Sequence, residues 1–479
     1  MFVGLDLGTS GLKAILVDDR QVIVDEAHAP LTVERPHAGW SEQDGDSWIT
    51  AAEAVLGALA SRHTLDQVQA IGLSGQMHGA TLLDAADKVL RPCILWNDTR
   101  SAEEAAAFDA DPIWRERTGN IVFPGFTAPK LAWVKNYEPD IFKKTAKILL
   151  PKDYLRLWLT GDHVSEMSDS AGTSWLDVGK RDWDDALLAA TGLDRAHMPA
   201  LVEGSESSGQ LRADLASRFG MRPDVVVAGG GGDNAASAIG VGVASPGTAF
   251  ASLGTSGVLF ASCAAYTPDP GTAVHTFCHA LPDVWHQMGV ILSATDSLEW
   301  YARLTGSTAA ELAAPLDKLR APGRALFLPY LGGERTPHND ANVRGALLGI
   351  EHVADRTAIA QAVMEGVVHA MRDCRDALAQ TGTDISQLIA VGGGSRSDYW
   401  LKALATSLGA PVSRPVAGDF GGAFGAARLA MMAVHGVPEE FLAPPPMETV
   451  FEPDRSLADA FSDAHGRYKK AYAAVREVS

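Results

Sequence analysis

Asp6-Leu7-Gly8-Thr9-Ser10-Gly11-Leu12-Lys13 stands near the start of the chain, and its central tetrapeptide returns in Leu253-Gly254-Thr255-Ser256-Gly257. Each copy follows an apolar run, Phe2 to Leu7 in the first case and Ala249 to Leu253 in the second. Each is followed by another, Leu12 to Val17 and Val258 to Ala261. Strand, tight turn and strand predict a β-hairpin in both places. The repeat splits 479 residues into two comparable halves, and a chain of that length exceeds one ordinary core. The boundary is expected where Ser245-Pro246-Gly247 interrupts the pattern, giving domains 1–244 and 245–479.

Working outward, strands and helices alternate. Strands are expected at Ala70–Ser74, Ile148–Leu150, Val225–Ala228, Ala325–Leu328 and Leu388–Val391. Helices are expected at Ser47–Ser61, Ala294–Leu304, Arg356–Gln380 and Ser397–Leu408. Within Arg356–Gln380, Ile359, Val363, Val367, Ala370 and Leu378 fall near one face at helical spacing. Such alternation predicts an α/β protein. Pro444-Pro445-Pro446 reads as a surface connection to a last helix near Leu457–Val475.

Composition narrows the function classes. Hydrophobic residues make up 46% and charged residues 21%, a normal globular balance. The formal charge is −19, from 59 acidic and 40 basic residues, so polyanions are repelled and nucleic acid is not an expected partner. A single nucleotide is not excluded, because N–H groups and Mg²⁺ neutralise phosphate locally. Cys93, Cys263, Cys278 and Cys374 show no metal-ligand spacing and no disulfide framework, which favours a reducing, cytoplasmic setting. No run approaches the length of a membrane span, so no membrane partner is expected.

Five stretches can carry chemistry. In the first, Gly8 and Gly11 permit a tight turn whose N–H groups, with the Thr9 and Ser10 hydroxyls, can surround phosphate oxygens. Asp6 at the strand end can hold Mg²⁺ through water, and Lys13 can add charge from the far strand. A plain hairpin with Asp6 capping its own backbone reads equally well. Gly254 and Thr255 offer the same two readings in the second copy. Third, Gly229-Gly230-Gly231-Gly232-Asp233-Asn234 joins a strand to a helix, so Asp233 is either an N-cap or a general base for an alcohol approaching the glycines. Fourth, Gly392-Gly393-Gly394-Ser395-Arg396-Ser397-Asp398 precedes another helix; its glycines can let a flat base lie on the main chain. The small-residue start Gly421-Gly422-Ala423-Phe424-Gly425 suits close packing beneath such a site. Fifth, Gln76, Met77 and His78 follow one strand, while Trp96, Asn97 and Asp98 follow another apolar pair. Polar groups past strand ends are typical of α/β ligand crevices, and together these suit a polyol.

In this order the motifs resemble the FGGY carbohydrate kinases of the actin, Hsp70 and hexokinase superfamily, nearly end to end. Asp6–Lys13 and Leu253–Gly257 look like the family's two phosphate elements and Gly392–Asp398 like its adenosine element. Gly125–Trp133 and the stretch opening at Gly345 look like its signatures, and Leu328–Pro337 is also family-like. The resemblance implies two actin-like (ribonuclease H-like) domains flanking an inter-domain cleft. It implies ATP and Mg²⁺ as cofactors and a small sugar as partner, and it leaves a homodimer open. It also implies Met77 and His78 at the sugar, Asp233 as proton acceptor and Asn234 beside it. The Gly75–Gly79 and Trp96–Asp98 stretches look most like the xylulose-phosphorylating branch. Glycerol kinases typically carry Arg-Glu where this chain has Met77-His78. Kinases of ribulose, gluconate, fuculose or rhamnulose, and an actin-like ATPase, are the alternatives.

Overall fold

The computed structural model describes residues 1–416 and 420–478. Their contacts gather into two compact units. The first comprises Met1–Ala244 together with Phe277–Trp285 and the segment holding the helix Gly422–His435. The second comprises Ser245–Thr276, the stretch from His286 up to that segment, and the chain from Pro445. Two contiguous halves were expected; two short segments of the later half instead join the earlier unit.

The first unit is built on a mixed sheet in the order Ser207–Gln210, Val226–Ala228, Ala70–Gly75, Phe2–Leu7, Gly11–Val17 and Ile23–Pro30, with Gly231–Gly232 added beside Ala70–Gly75. Phe2–Leu7 is apolar because layers cover both of its faces, the pattern of a central strand. It pairs antiparallel with Gly11–Val17 through the Gly-Thr-Ser-Gly turn and parallel with Ala70–Gly75.

Small residues explain why Gly422–His435 belongs here. A Cβ on Gly4 would lie 1.9 Å from the Ala423 carbonyl oxygen, and one on Gly72 would lie 1.8 Å from that of Ala426. On its other side the helix meets Asp233–Val241 so closely that a Cβ on Gly425 would lie 1.7 Å from the Ala236 oxygen. The small residues of this helix start thus serve close packing: its alanines meet the glycines of the first sheet, and its Gly425 meets the helix Asp233–Val241.

The second unit repeats the same arrangement. Thr248–Leu253 pairs antiparallel with Gly257–Cys263 through the second Gly-Thr-Ser-Gly turn and parallel with Gln387–Val391. Val412–Pro415 and the edge strand Met447–Phe451 extend the sheet. That edge strand lies between the Pro444–Pro446 connection and the last helix, Ala458–Arg476, where only a connection was expected. Arg356–Gln380 forms one helix, opened by Asp355, whose carboxylate accepts from the Ala358 N–H. Ile359, Val363, Val367, Ala370 and Leu378 are all buried, as their spacing predicts.

Candidate active site

In the first unit the chemistry gathers where the central strands end. Asp6 stands opposite Ser74 in the parallel ladder and opposite Lys13 across the hairpin, and Ser74 stands opposite Gly231. The Ser74 hydroxyl donates to Asp6 Oδ1 at 2.8 Å. Helix Gly422–His435 starts against the same carboxylate, since a Cβ on Gly422 would lie 2.9 Å from Asp6 Oδ1. Its N-terminal dipole favours negative charge there. Lys13 forms an ion pair with Glu26 at 2.7 Å, so its ammonium is engaged by the next strand.

Asp233 is the first residue of its helix, and Gly232, not Asp233, is the N-cap. Its Oδ1 accepts from the Asn234 N–H at 2.7 Å and from Asn234 Nδ2 at 2.8 Å. Burial and then the charge of Asp6 push its pKa up to about 6. Such a carboxylate is ionised at neutral pH yet far more basic than an exposed one. The glycines before it do less for a ligand than expected. A Cβ on Gly229 would lie 2.2 Å from the Glu203 oxygen, and one on Gly230, where φ is +77°, 2.1 Å from the Leu73 oxygen. Both spaces are filled by the protein's own backbone.

Buried groups fix this loop from below, and the sequence offered no sign of them. Arg156 donates to the carbonyls of Ala228 and Gly229 at 2.7 and 2.6 Å, and the Ser168 hydroxyl accepts from the Gly232 N–H at 3.0 Å. Lys152, Asp153, Arg156, Glu166 and Asp169 are all fully buried. Burial pushes Asp169 well above the carboxylate range. In a sequence, Lys152, Asp153 and Arg156 on one short helix read as a solvent face.

Met77 packs against Gly232, the residue before Asp233, and both Met77 and His78 pack against Gly172. A Cβ on Gly232 would lie 3.0 Å from Met77 Sδ, and one on Gly172 2.4 Å from His78 Cε1. The His78 ring lies 4.6 Å from Phe126, and its Nδ1 is 2.7 Å from the Gly172 carbonyl oxygen. Burial, then the nearby Lys130, push its pKa down to about 3, so the ring is neutral. Trp96 is 49% exposed, not a core residue, and its Nε1 donates to the Thr9 hydroxyl at 3.0 Å.

Three expected ligand contacts are engaged within the protein. The Thr9 hydroxyl donates to Gln76 Oε1 at 3.1 Å, and Gln76 Nε2 donates to Gln43 Oε1 at 3.0 Å. Gln76 is buried, its amide oxygen accepting from Thr9 and its amide nitrogen donating to Gln43, so it braces the turn. Asp98 is buried too: it accepts from the Ser41 N–H and from the N–H, Nε and Nη2 of Arg100. It anchors the loop that carries Trp96. Gly8 closes the turn by donating its N–H to the Gly11 oxygen, and Ser10 is exposed at its tip.

In the second unit the Gly254-Thr255 turn is fastened to the helix Thr295–Thr305. The N–H and hydroxyl of Thr295 both donate to the Gly254 carbonyl, at 2.9 and 2.8 Å. The triple-glycine loop lies against it. Gly392 has φ +85°, and a Cβ there would lie 2.9 Å from the Leu253 oxygen; one on Gly394 would lie 2.8 Å from Leu253 Cβ. Gly393, by contrast, has open space where a Cβ would be. A cavity of about 670 Å³ opens beside it, lined by Leu298, Ala309, Ala313, Gly394 and Asp398 among others. Its size and apolar helix wall suit a nucleoside. Asp398 at its edge is paired with Arg414 at 2.8 Å. Filling the cavity by Ala309→Phe is expected to raise the KM for ATP roughly tenfold and leave that for sugar unchanged, in steady-state kinetics varying each substrate. Equal shifts in both constants would detach this cavity from the nucleotide.

Thus the first unit brings together Asp6, Gly8, Thr9, Ser10, Gln76, Met77, His78, Trp96, Asp233 and Asn234, and the second brings together Gly254, Thr255, Gly393, Gly394 and Asp398. Residues 1–240 match the N-terminal domain of the FGGY family of carbohydrate kinases, and residues 249–434 match its C-terminal domain. The chain is 47% identical to a xylulose kinase of Escherichia coli (strain K12), covering 98% of both chains. It is 48% identical to a xylulose kinase of Klebsiella pneumoniae, covering 95% of each. A crystal structure described as a "xyloylose kinase" from Brucella ovis superposes with a TM-score of 0.98 at 58% identity, covering 100% of this chain and 99% of that one. Both family domains are matched in order along a two-unit α/β chain, and the protein therefore belongs to the FGGY family of carbohydrate kinases, ATP-dependent enzymes with an actin-like fold.

Proposed function

We propose that this kinase phosphorylates the terminal hydroxyl of D-xylulose, giving D-xylulose 5-phosphate, with Asp233 as general base. The observation that carries the reading is the raised carboxylate of Asp233 at a helix start, within the field of Asp6, with Met77 packed against the preceding Gly232. The names of the relatives above support the choice of sugar. Asp233 takes the proton of the hydroxyl as its oxygen bonds to the γ-phosphorus of ATP, the bond from that phosphorus to the β,γ-bridging oxygen breaks and ADP leaves, and Asn234 holds the carboxylate in place. The turn amides at Gly8–Ser10 and Gly254–Thr255 serve the phosphate oxygens, where positioning and charge neutralisation make up most of the catalysis.

The charge of Asp6 acts on Asp233, and a carboxylate beside the reacting phosphate is a donor that fits a divalent cation. Asp6 would hold Mg²⁺ through water, and the ion would supply positive charge to the phosphates. We place the enzyme in the cytoplasm: all four cysteines are free and buried, and no helix among the described residues is long and apolar enough to cross a membrane.

The test is ADP release measured across ketoses, polyols and sugar acids, with a sugar-free control. D-xylulose is expected to give the highest kcat/KM, with little release in the control. A higher value for ribulose, gluconate or glycerol would reassign the substrate, and release that ignores sugar would end the kinase mechanism written here.

A further inference from the structure

The stretch Gly125–Trp133 has so far no task, although it lies against His78. His78 sits in the left-handed region, with φ +68°, which a side chain with a Cβ adopts at a cost of about 1 kcal/mol or more. Its main-chain carbonyl is held from one side by two groups on the first turn of helix Thr127–Tyr137. Lys130 Nζ donates to it at 2.8 Å and the Thr127 hydroxyl at 3.2 Å. Three residues apart, the two side chains share a helix face. Lys130 is fully buried, and burial pushes its pKa down to about 7. Protonated or neutral, the amine still donates.

The ring is constrained as tightly as the backbone. A carbonyl oxygen only accepts, so the Gly172 contact puts the ring proton on Nδ1. A neutral ring with that tautomer has a bare lone pair on Nε2. Such a nitrogen accepts from a hydroxyl and is repelled by a ketone oxygen.

We propose that Lys130, together with Thr127, is a positioning residue of the sugar site. The two donors lock the left-handed turn at His78, and that turn keeps Nδ1–H on Gly172 and Nε2 ready to accept from a sugar hydroxyl. This rests on the reading of His78 as a sugar contact. A buried amine spent on one carbonyl is a poor device for stability alone, since burial of a charge costs more than a single acceptor returns.

Lys130→Met keeps the length of the side chain and removes both the donor and the buried charge. The variant is expected to melt no earlier than the wild type, while the KM for D-xylulose rises roughly tenfold and that for ATP stays within twofold. Thr127→Val should move the same constant in the same direction by a smaller factor, and it serves if Lys130→Met fails to fold. Two-bond ¹H–¹⁵N spectra of His78 should show the Nδ1–H tautomer in the wild type and a mixture in Lys130→Met. His78→Ala, measured alongside, separates the two ideas. If His78→Ala raises the sugar KM and neither Lys130→Met nor Thr127→Val does, the positioning role is overturned and the sugar site stands. If His78→Ala itself leaves the sugar KM unchanged, the sugar reading falls and this proposal with it.

Discussion

Asp233→Asn is expected to lower phosphoryl transfer by at least about 10²–10⁴-fold, the usual contribution of a positioned base. Nucleotide binding should survive, because the cavity assigned to the nucleoside is built from other elements. The acid limb of kcat/KM in the wild-type enzyme should fall near pH 6, where the free carboxylate gains its proton. The same substitution should stabilise the protein. The unfolded chain ionises this group around 3.8, whereas the folded protein retains the proton until about 6. Stability is therefore lost as pH rises through that window and stays lost above it, by roughly 2–3 kcal/mol. At pH 8 Asp233→Asn should melt later than the wild type, and at pH 4 the gap should close. Near-normal turnover would remove Asp233 from the base role. An earlier melt at pH 8 would mean that the carboxylate is not held in the desolvated setting described.

Gly72→Ala should have the largest effect on the fold. The added Cβ would lie 1.8 Å from the Ala426 oxygen and 2.5 Å from the Ala426 carbonyl carbon, both main-chain atoms that no rotamer change can move. Helix Gly422–His435 would have to leave the sheet, and a loss of about 4 kcal/mol or more is expected in chemical denaturation. The helix start that borders Asp6 would shift with it, so activity should fall in whatever fraction remains folded. Gly57→Ala is the control. Gly57 lies inside helix Gly45–Arg62 with nothing near its missing Cβ, and the change should stabilise by up to about 1 kcal/mol. If Gly72→Ala were as stable as the wild type, the close packing of sheet and helix would be wrong.

Much of this was legible from residues alone. The repeated tetrapeptide predicted two hairpins, and both form, with strand limits within about two residues of those expected. A 25-residue helix was bounded correctly because its cap, its apolar face and its end are all local signals. Asp6 was picked from a strand end and Asp233 from a glycine run that opens a helix, and the charge of Asp6 does act on Asp233.

What the residues alone did not show was decided by atoms far apart in sequence. Gln76 and Asp98 follow strands just as a ligand contact would, and Gln43 and the Ser41 N–H, both distant in sequence, engage them within the protein. Lys152, Asp153 and Arg156 look like a wetted face until Glu166 and Asp169 arrive to pair with Lys152. Lys130 looks like any lysine until His78 turns its carbonyl toward it.

Local pattern was enough for the two hairpins and the α/β layering, because turn chemistry and side-chain periodicity act within a few residues. Long-range packing assigned helix Gly422–His435 to the earlier unit, raised the pKa of Asp233 and drew the buried charges beneath it. Those outcomes depend on desolvation and on close backbone approach, and neither exists until distant parts of the chain have come together.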